Sequence, residues 1–500
     1  MNMYMTTNSS FLEQCKAEYS QNFVKVHSGD EGFLKTEDGK ELPCKFEAGQ
    51  FEDGEITLVC DFSEFDLQKC FPMFRNFEKS SVSKVKNNKS SYLSLLDIFL
   101  GKFISFNGVS SDKLMNLSGG INFLSEIDNN SIEDHNSERI KIACSMIELT
   151  AKTNTNENLQ YAEFGITNFK FGDESDKTLS LDIKGVKELI IKKNDNYGDA
   201  LNFLRCSKGI RVTCNVKVKI DNKTEMKDLE EIICDLCDVM SIALGTRVQW
   251  IYYFACNLEG KIVSWNHLPK ITKPCYFTEI IYHRDLKNFL ESSYEALAEK
   301  SNLLRYGEEA AKPLINAYLD AKAENDYLEG RGIKLAVVTE MLKNSLLESE
   351  PELEYIINED DFKELQPTLK TAFKGVFKQS TDPNSRCKFY NNIEGINRTP
   401  FKEILHRLCK KINLQVTDDY LQSVVDSRNK LIHEGKFLCE SDSKKKKYTN
   451  IKEYTQFKDP EHEYYFLMNF VDQCFLKLLH YKGHYYKWKS VHEIKRVELK

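Results

Sequence analysis

The sequence predicts an α+β protein, with a β-rich N-terminal domain over residues 1–283 and an all-α helical bundle over residues 284–500. Three observations carry this. Up to about residue 225, apolar residues come in short runs with two-residue alternation, separated by polar, turn-rich stretches. From about residue 284 the period lengthens to that of amphipathic helices. The 500 residues also exceed what one hydrophobic core usually serves, so two or three domains are expected.

In chain order, residues 33–36 and 40–43 flank Glu37-Asp38-Gly39, a hairpin signal. Residues 55–62, 102–107, 164–171, 179–183 and 209–220 read as strands, the last with its basic residues facing outward. Short strands between polar turns suggest a sandwich or barrel-like module. Residues 80–91 and 128–138 read as long surface loops. Residues 226–244 form an amphipathic helix ending at Gly245, and residues 246–256 and 261–265 return to strand. This strand–helix–strand section is attached to the N-terminal domain. Seven helices are then expected, over residues 285–300, 308–325, 332–347, 360–377, 400–412, 417–434 and 460–481.

Composition narrows the function classes. The start of the chain has no basic segment followed by an apolar core, and no run approaches ~18 uninterrupted apolar residues, so a cytoplasmic protein without a membrane span is expected. The 15 cysteines sit mostly inside apolar patterns, as Cys60 and Cys474 do, and read as reduced, packed thiols. Cys234 and Cys237 lie three apart on a predicted helix without a second close pair; packed thiols and a metal pair are both open, and no metal is assigned. Net charge is −7, yet residues 401–500 hold 20 Lys and Arg against 14 Asp and Glu, an excess of +6. That is the distribution of a polyanion-facing surface, or of a solvated basic face. No Gly-rich phosphate loop, Gly-x-Ser-x-Gly elbow or His-Glu-x-x-His motif occurs, which disfavours ATPases, hydrolases of that type and metalloproteases. No cofactor is expected.

Residues 416–435 carry the chemistry. Thr417 caps a helix, Asp418 and Asp419 suit the positive end of its dipole, and Gly435 stops it. Leu421, Val424, Val425, Leu431 and Ile432 form an apolar stripe with Arg428 in its middle. Gln422, Asp426, Asn429 and His433 form a second seam about 100° away. A guanidinium on a core-facing stripe needs an anion, acceptors or a partner surface. Arg428 and His433 are about 140° apart around the axis, so either Arg428 reaches along its stem or two copies cooperate across a two-fold interface.

The run Asp426-Ser-Arg428-Asn429-Lys-Leu-Ile-His433 resembles the Arg-x4-6-His signature of HEPN-domain ribonucleases. Upstream, Gly332-Ile-Lys-Leu-Ala-Val-Val-Thr-Glu340 looks like the opening helix of the Apea-like branch of that family. A β-rich module ahead of such a bundle is similar to ApeA-type anti-phage defence proteins. The resemblance covers about residues 305–500, and the N-terminal part by architecture only. It implies a metal-independent endoribonuclease acting as a homodimer in abortive infection, cleaving host RNA with tRNA as the candidate substrate, and answering a phage-derived trigger at the N-terminal domain. It assigns catalysis to Arg428 and His433. A histidine exchanges protons near neutral pH, an arginine grips phosphate oxygens, and Asn429, four residues before His433, can orient the ring or donate to phosphate.

Each assignment has a plainer counterpart. Arg428 can form an interhelical salt bridge, with Glu340 as partner, and His433 can be an ordinary residue near the helix end. Glu340 can orient the catalytic pair or serve structure alone, and Asp426 is a further supporting candidate. Lys444, Lys445, Lys446 and Lys447 can hold RNA phosphates or form a solvated loop. The tail from Leu479 to Trp488, rich in aromatic and basic residues, can be a base-stacking surface or a helix end packed on its own bundle. A catalytically silent HEPN module for dimerisation or RNA binding is the alternative function.

Overall fold

A computed structural model describes residues 23–36, 39, 41–51, 54–63, 103–109, 115–127, 139–146, 149–153, 159–172, 176–207, 209–220, 225–259, 261–268, 277–299, 301–305, 311–324, 326–377, 393–440, 457–490 and 492–499. The expected loops at 80–91 and 128–138 lie outside them, as do Lys444–Lys447. The chain divides into two compact units, Met1–Cys237 with Arg247–Cys275, and Asp238–Thr246 with Tyr276–Lys500. Strands dominate the first and helices the second, so the protein is α+β. The second unit takes up residues 238–246, which the sequence reading attaches to the N-terminal domain.

In the first unit, β1 (Phe23–Thr36), β2 (Glu41–Phe51), β3 (Ile56–Ser63), β4 (Phe103–Val109), β5 (Met115–Ile127) and β6 (Arg139–Met146) pair antiparallel in the order β4-β1-β2-β3-β6-β5. Because β4 also pairs with β5, these six strands close into a ring without an open edge. The alternation on β2 buries Leu42, Cys44 and Phe46 and exposes the residues between them. From β5 the sheet continues through β7 (Leu149–Thr153), β13 (Ile262–His267), β12 (Gln249–Cys256), β8 (Tyr161–Thr167), β11 (Val212–Lys219) and β10 (Leu189–Lys193) to β9 (Thr178–Leu181). Helix α1 (Tyr197–Ser207) connects β10 to β11. The buried pair Gln50 and His267 ties the ring to this extension, with Gln50 Oε1 2.5 Å from His267 Nδ1 and Gln50 Nε2 donating to the Ile251 carbonyl at 2.9 Å. A Cβ at Gly165 of β8 would lie 2.1 Å from the Tyr252 ring, so only glycine lets that ring cross the strand. The expected strand at 164–171 stops at Thr167 because Asn168 turns to a φ of 60°.

Helix α2 (Met226–Leu244) has the expected bounds and ends at Gly245, whose φ is 62°. Its residues up to Cys237 belong to the first unit and those from Asp238 to the second. Among the described residues, the second unit then holds α3 (Leu286–Ala298), α4 (Ala311–Lys322), α5 (Leu328–Ser349), α6 (Glu359–Phe377), α7 (Phe401–Lys411), α8 (Asp418–Glu434) and α9 (Pro460–Leu478). Helix α5 is central, packing against α4, α7, α8 and α9 through a buried face that includes Leu335, Ala336, Val338, Leu342 and Leu346. No helix of the described residues is long and apolar enough to cross a membrane.

The chain ends differently from the expectation. Residues 484–498 form a hairpin of β14 (His484–Ser490) and β15 (Glu493–Glu498). The side chain of Asn469 on α9 exchanges hydrogen bonds with the backbone of Trp488, donating at 2.6 Å and accepting at 3.0 Å. Tyr485 and Trp488 are buried there, so neither ring is open to stack on a base; the tail packs on its own bundle, as the plainer reading has it, with its last residues in a strand instead of a helix end.

Candidate functional site

Local sequence places α8 as expected. The Thr417 side chain accepts from the Tyr420 amide at 3.2 Å, Asp418 and Asp419 occupy the first turn, and Gly435 closes the helix at a φ of 65°. Leu421, Val424, Val425 and Leu431 are buried, whereas Ile432 is half-buried. Ser423 and Ser427, not anticipated as interior, are fully buried on the same helix.

Arg428 is the centre of a polar cluster. Its side chain is only 15% exposed, and its Nη2 forms an ion pair with Glu340 Oε1 on α5. Its Nη1 donates to Asn429 Oδ1 at 2.6 Å. The guanidinium lies 4.6 Å from the centre of the Phe401 ring at the start of α7. Lys343, one helical turn after Glu340, reaches Glu340 Oε2 at 3.0 Å, and its ammonium stands 5.8 Å from the Phe401 ring. Two cations thus share one carboxylate, and the cluster is net positive by one charge. Burial lowers the pKa of Arg428 without discharging it. Lys343 is also lowered, first by burial and then by Arg398.

The polar seam takes shape beside this cluster. Gln422 Nε2 donates to Asp426 Oδ1 at 2.9 Å. Burial raises the pKa of Asp426, opposed by the Gln422 hydrogen bond and by Lys402. His433 is exposed in the last turn and makes no hydrogen bond among the described residues. Angular spacing alone kept Arg428 and His433 apart. The bond to Asn429 joins the guanidinium to one residue of the seam on which His433 lies. The structure therefore joins Arg428, Asn429 and Glu340, joins Asp426 to Gln422, and leaves His433 at the open end.

Phe401 and Lys343 were not singled out from sequence, because their part in the cluster depends on how α5, α7 and α8 pack. A second polar group was missed as well. Lys322 and Asp472, both fully buried, pair at 2.8 Å, and the Tyr318 hydroxyl donates to the same Asp472 oxygen at 2.6 Å. An aspartate inside the apolar run of α9 was the available signal. In the Cys234–Cys237 pair, Cys234 Sγ accepts from Trp250 Nε1 at 3.2 Å and Cys237 is buried. Among the described residues no group of three or more His, Cys, Asp or Glu could hold a metal ion.

Compared with models of protein families, with curated proteins and with solved structures, the chain matches none.

Proposed function

We propose that this chain is a metal-independent endoribonuclease of the HEPN type, with Arg428, Asn429 and His433 as its reacting and phosphate-binding groups. The observation that supports the reading is the Arg428–Asn429 hydrogen bond, which joins a permanent cation to a residue four positions before the exposed His433. RNA brings its own nucleophile. The 2′-oxygen attacks the adjacent phosphorus, the bond to the 5′-oxygen breaks, and a 2′,3′-cyclic phosphate and a free 5′-hydroxyl result. One group takes the 2′-OH proton and another supplies a proton to the 5′-oxygen. A single His433 performs one of these transfers, and a second copy of the chain in a homodimer supplies the other. Arg428 neutralises the phosphate oxygens, Glu340 and Asn429 hold its orientation, and Lys343 keeps the cluster attractive to an anion. Biologically, the resemblance points to anti-phage defence in the cytoplasm by cleavage of host RNA, including tRNA, under control of a phage-derived trigger.

A second reading has one observation in its favour. Arg428 already has a carboxylate partner in Glu340, as a purely structural arginine would. The chain is then a silent HEPN module that dimerises or holds RNA without cutting it. Purified full-length protein incubated with total RNA in excess chelator separates the two. Cleavage by wild type, its loss in Arg428→Ala and His433→Ala, and cyclic phosphate at the new ends support the nuclease. RNA retention without cleavage by all three supports the silent module. Equal protection of infected cells by all three, with RNA intact throughout, ends the nuclease reading.

A further inference from the structure

The first unit carries a cleft of about 320 Å³ lined by Gln160, Tyr161, Glu188, Ile190, Lys217, Lys219, Asn257 and Leu258. Sheet register explains why these side chains converge. Lys217 and Lys219 are two residues apart on β11 and therefore share a face. Lys217 pairs with Ile190 on β10, and Lys219 pairs with Tyr161 on β8, so the lysines stand between an apolar wall and an aromatic one. The Lys217 ammonium lies 3.9 Å from the centre of the Tyr161 ring. The turn after β12 closes one side: Asn257 Oδ1 accepts from the amides of Glu259 and Lys261, which stiffens the backbone that presents Leu258. Leu258 is 81% exposed at the lip of the cleft.

The charges say what fits. Among the described residues neither Lys217 nor Lys219 forms an ion pair, and Glu188 is exposed on the same rim. Two ammonium groups attract a phosphate, whereas Glu188 and Glu163, the latter opposite Lys217 in the register with β8, repel a continuous polyanion, and Glu188 accepts hydrogen bonds from hydroxyl or amino groups. Ile190 and Leu258 offer apolar surface to a flat ring. The volume lies at the low end of the range for ligand clefts, about 300–1,000 Å³. We infer that this cleft binds a nucleoside monophosphate, its phosphate on Lys217 and Lys219, its sugar hydroxyls towards Glu188 and its base against Ile190 and Leu258. The site belongs to the β-rich unit and does not depend on the ribonuclease reading.

The test is calorimetric titration of the full chain with AMP, GMP, CMP and UMP, with adenosine and inorganic phosphate as controls. At least one monophosphate binds, and adenosine and inorganic phosphate each bind at least about tenfold more weakly, since each lacks one half of the recognition. Lys217→Ala with Lys219→Ala weakens binding by at least about tenfold and flattens its salt dependence. Leu258→Trp, at an exposed position that leaves the fold alone, blocks the cleft and abolishes binding with both lysines present. No binding of any monophosphate at 1 mM (roughly the weakest affinity worth assigning) overturns the inference. So does unchanged binding in both variants, or inorganic phosphate binding as tightly as the nucleotides.

Discussion

The ion pair between Arg428 and Glu340 can be weighed by a double-mutant cycle, and the same variants report on function. The side chains are 15% and 22% exposed, so the pair is neither a surface bridge nor a fully buried one. Surface pairs contribute about 0–1 kcal/mol, and breaking a fully buried pair costs about 3–5 kcal/mol. Partial exposure, and Lys343 as a standing second partner for Glu340, place the expected coupling at about 1–2 kcal/mol. Urea unfolding of Arg428→Ala, Glu340→Ala and the double variant measures it. His433→Ala, at an exposed position, should change stability by less than about 0.5 kcal/mol. RNA cleavage should nevertheless vanish in His433→Ala and Arg428→Ala, and survive at a reduced level in Glu340→Ala, where Asn429 still holds the guanidinium. A coupling below about 0.3 kcal/mol refutes the packing argument, because that is the usual scatter of additivity. Full cleavage by His433→Ala refutes the assignment of the proton carrier.

Asp472→Asn should cost about 3–5 kcal/mol by leaving the Lys322 ammonium without a counter-charge, while Lys322→Met with Asp472→Leu should cost less than the single change; thermal unfolding decides. Gly165→Val should destabilise by at least about 1–3 kcal/mol, because the new side chain occupies the space of the Tyr252 ring; circular dichroism on heating reads the loss. Asp426→Asn should raise stability at pH 7 by less than about 1 kcal/mol and keep the bond from Gln422. The sign follows from burial: the folded carboxyl titrates above its unfolded value, so its penalty is absent below the unfolded pKa of about 3.9 and grows as pH rises through the folded one. The advantage of the variant should therefore disappear in urea unfolding near pH 3 (roughly a unit below the unfolded value).

Elements whose signals are local were legible in the chain itself. Helix α2 and helix α8 have their expected ends because Gly245 and Gly435 adopt a left-handed conformation that other residues resist, and Thr417 caps an exposed amide. The hairpin of β1 and β2, and the outward lysines of β11, follow from two-residue alternation. Signals that were weak locally were missed: β5, β6, β7 and β10, helix α1 and the closing hairpin of β14 and β15. That hairpin is held by Asn469, a residue on another element, and no window of adjacent residues contains the reason for it.

The candidate site divides in the same way. Sequence alone determined that α8 carries Arg428 on its apolar stripe and His433 on its polar seam, since both follow from the helical period. It left open whether Arg428 finds an anion, a carboxylate or another copy, because a guanidinium can satisfy itself with any of them. Tertiary structure decided that Glu340 on α5 takes one side, Asn429 the other, and Phe401 on α7 the face. It also decided the net charge of the cluster, by bringing Lys343 to the same carboxylate. The six-strand ring was beyond the sequence for the same physical cause. Closure needs β4 to pair with β1 and β6 with β3, strands far apart in the chain even though β4 and β5 are consecutive, and hydrogen bonds between distant segments leave no local periodicity to read.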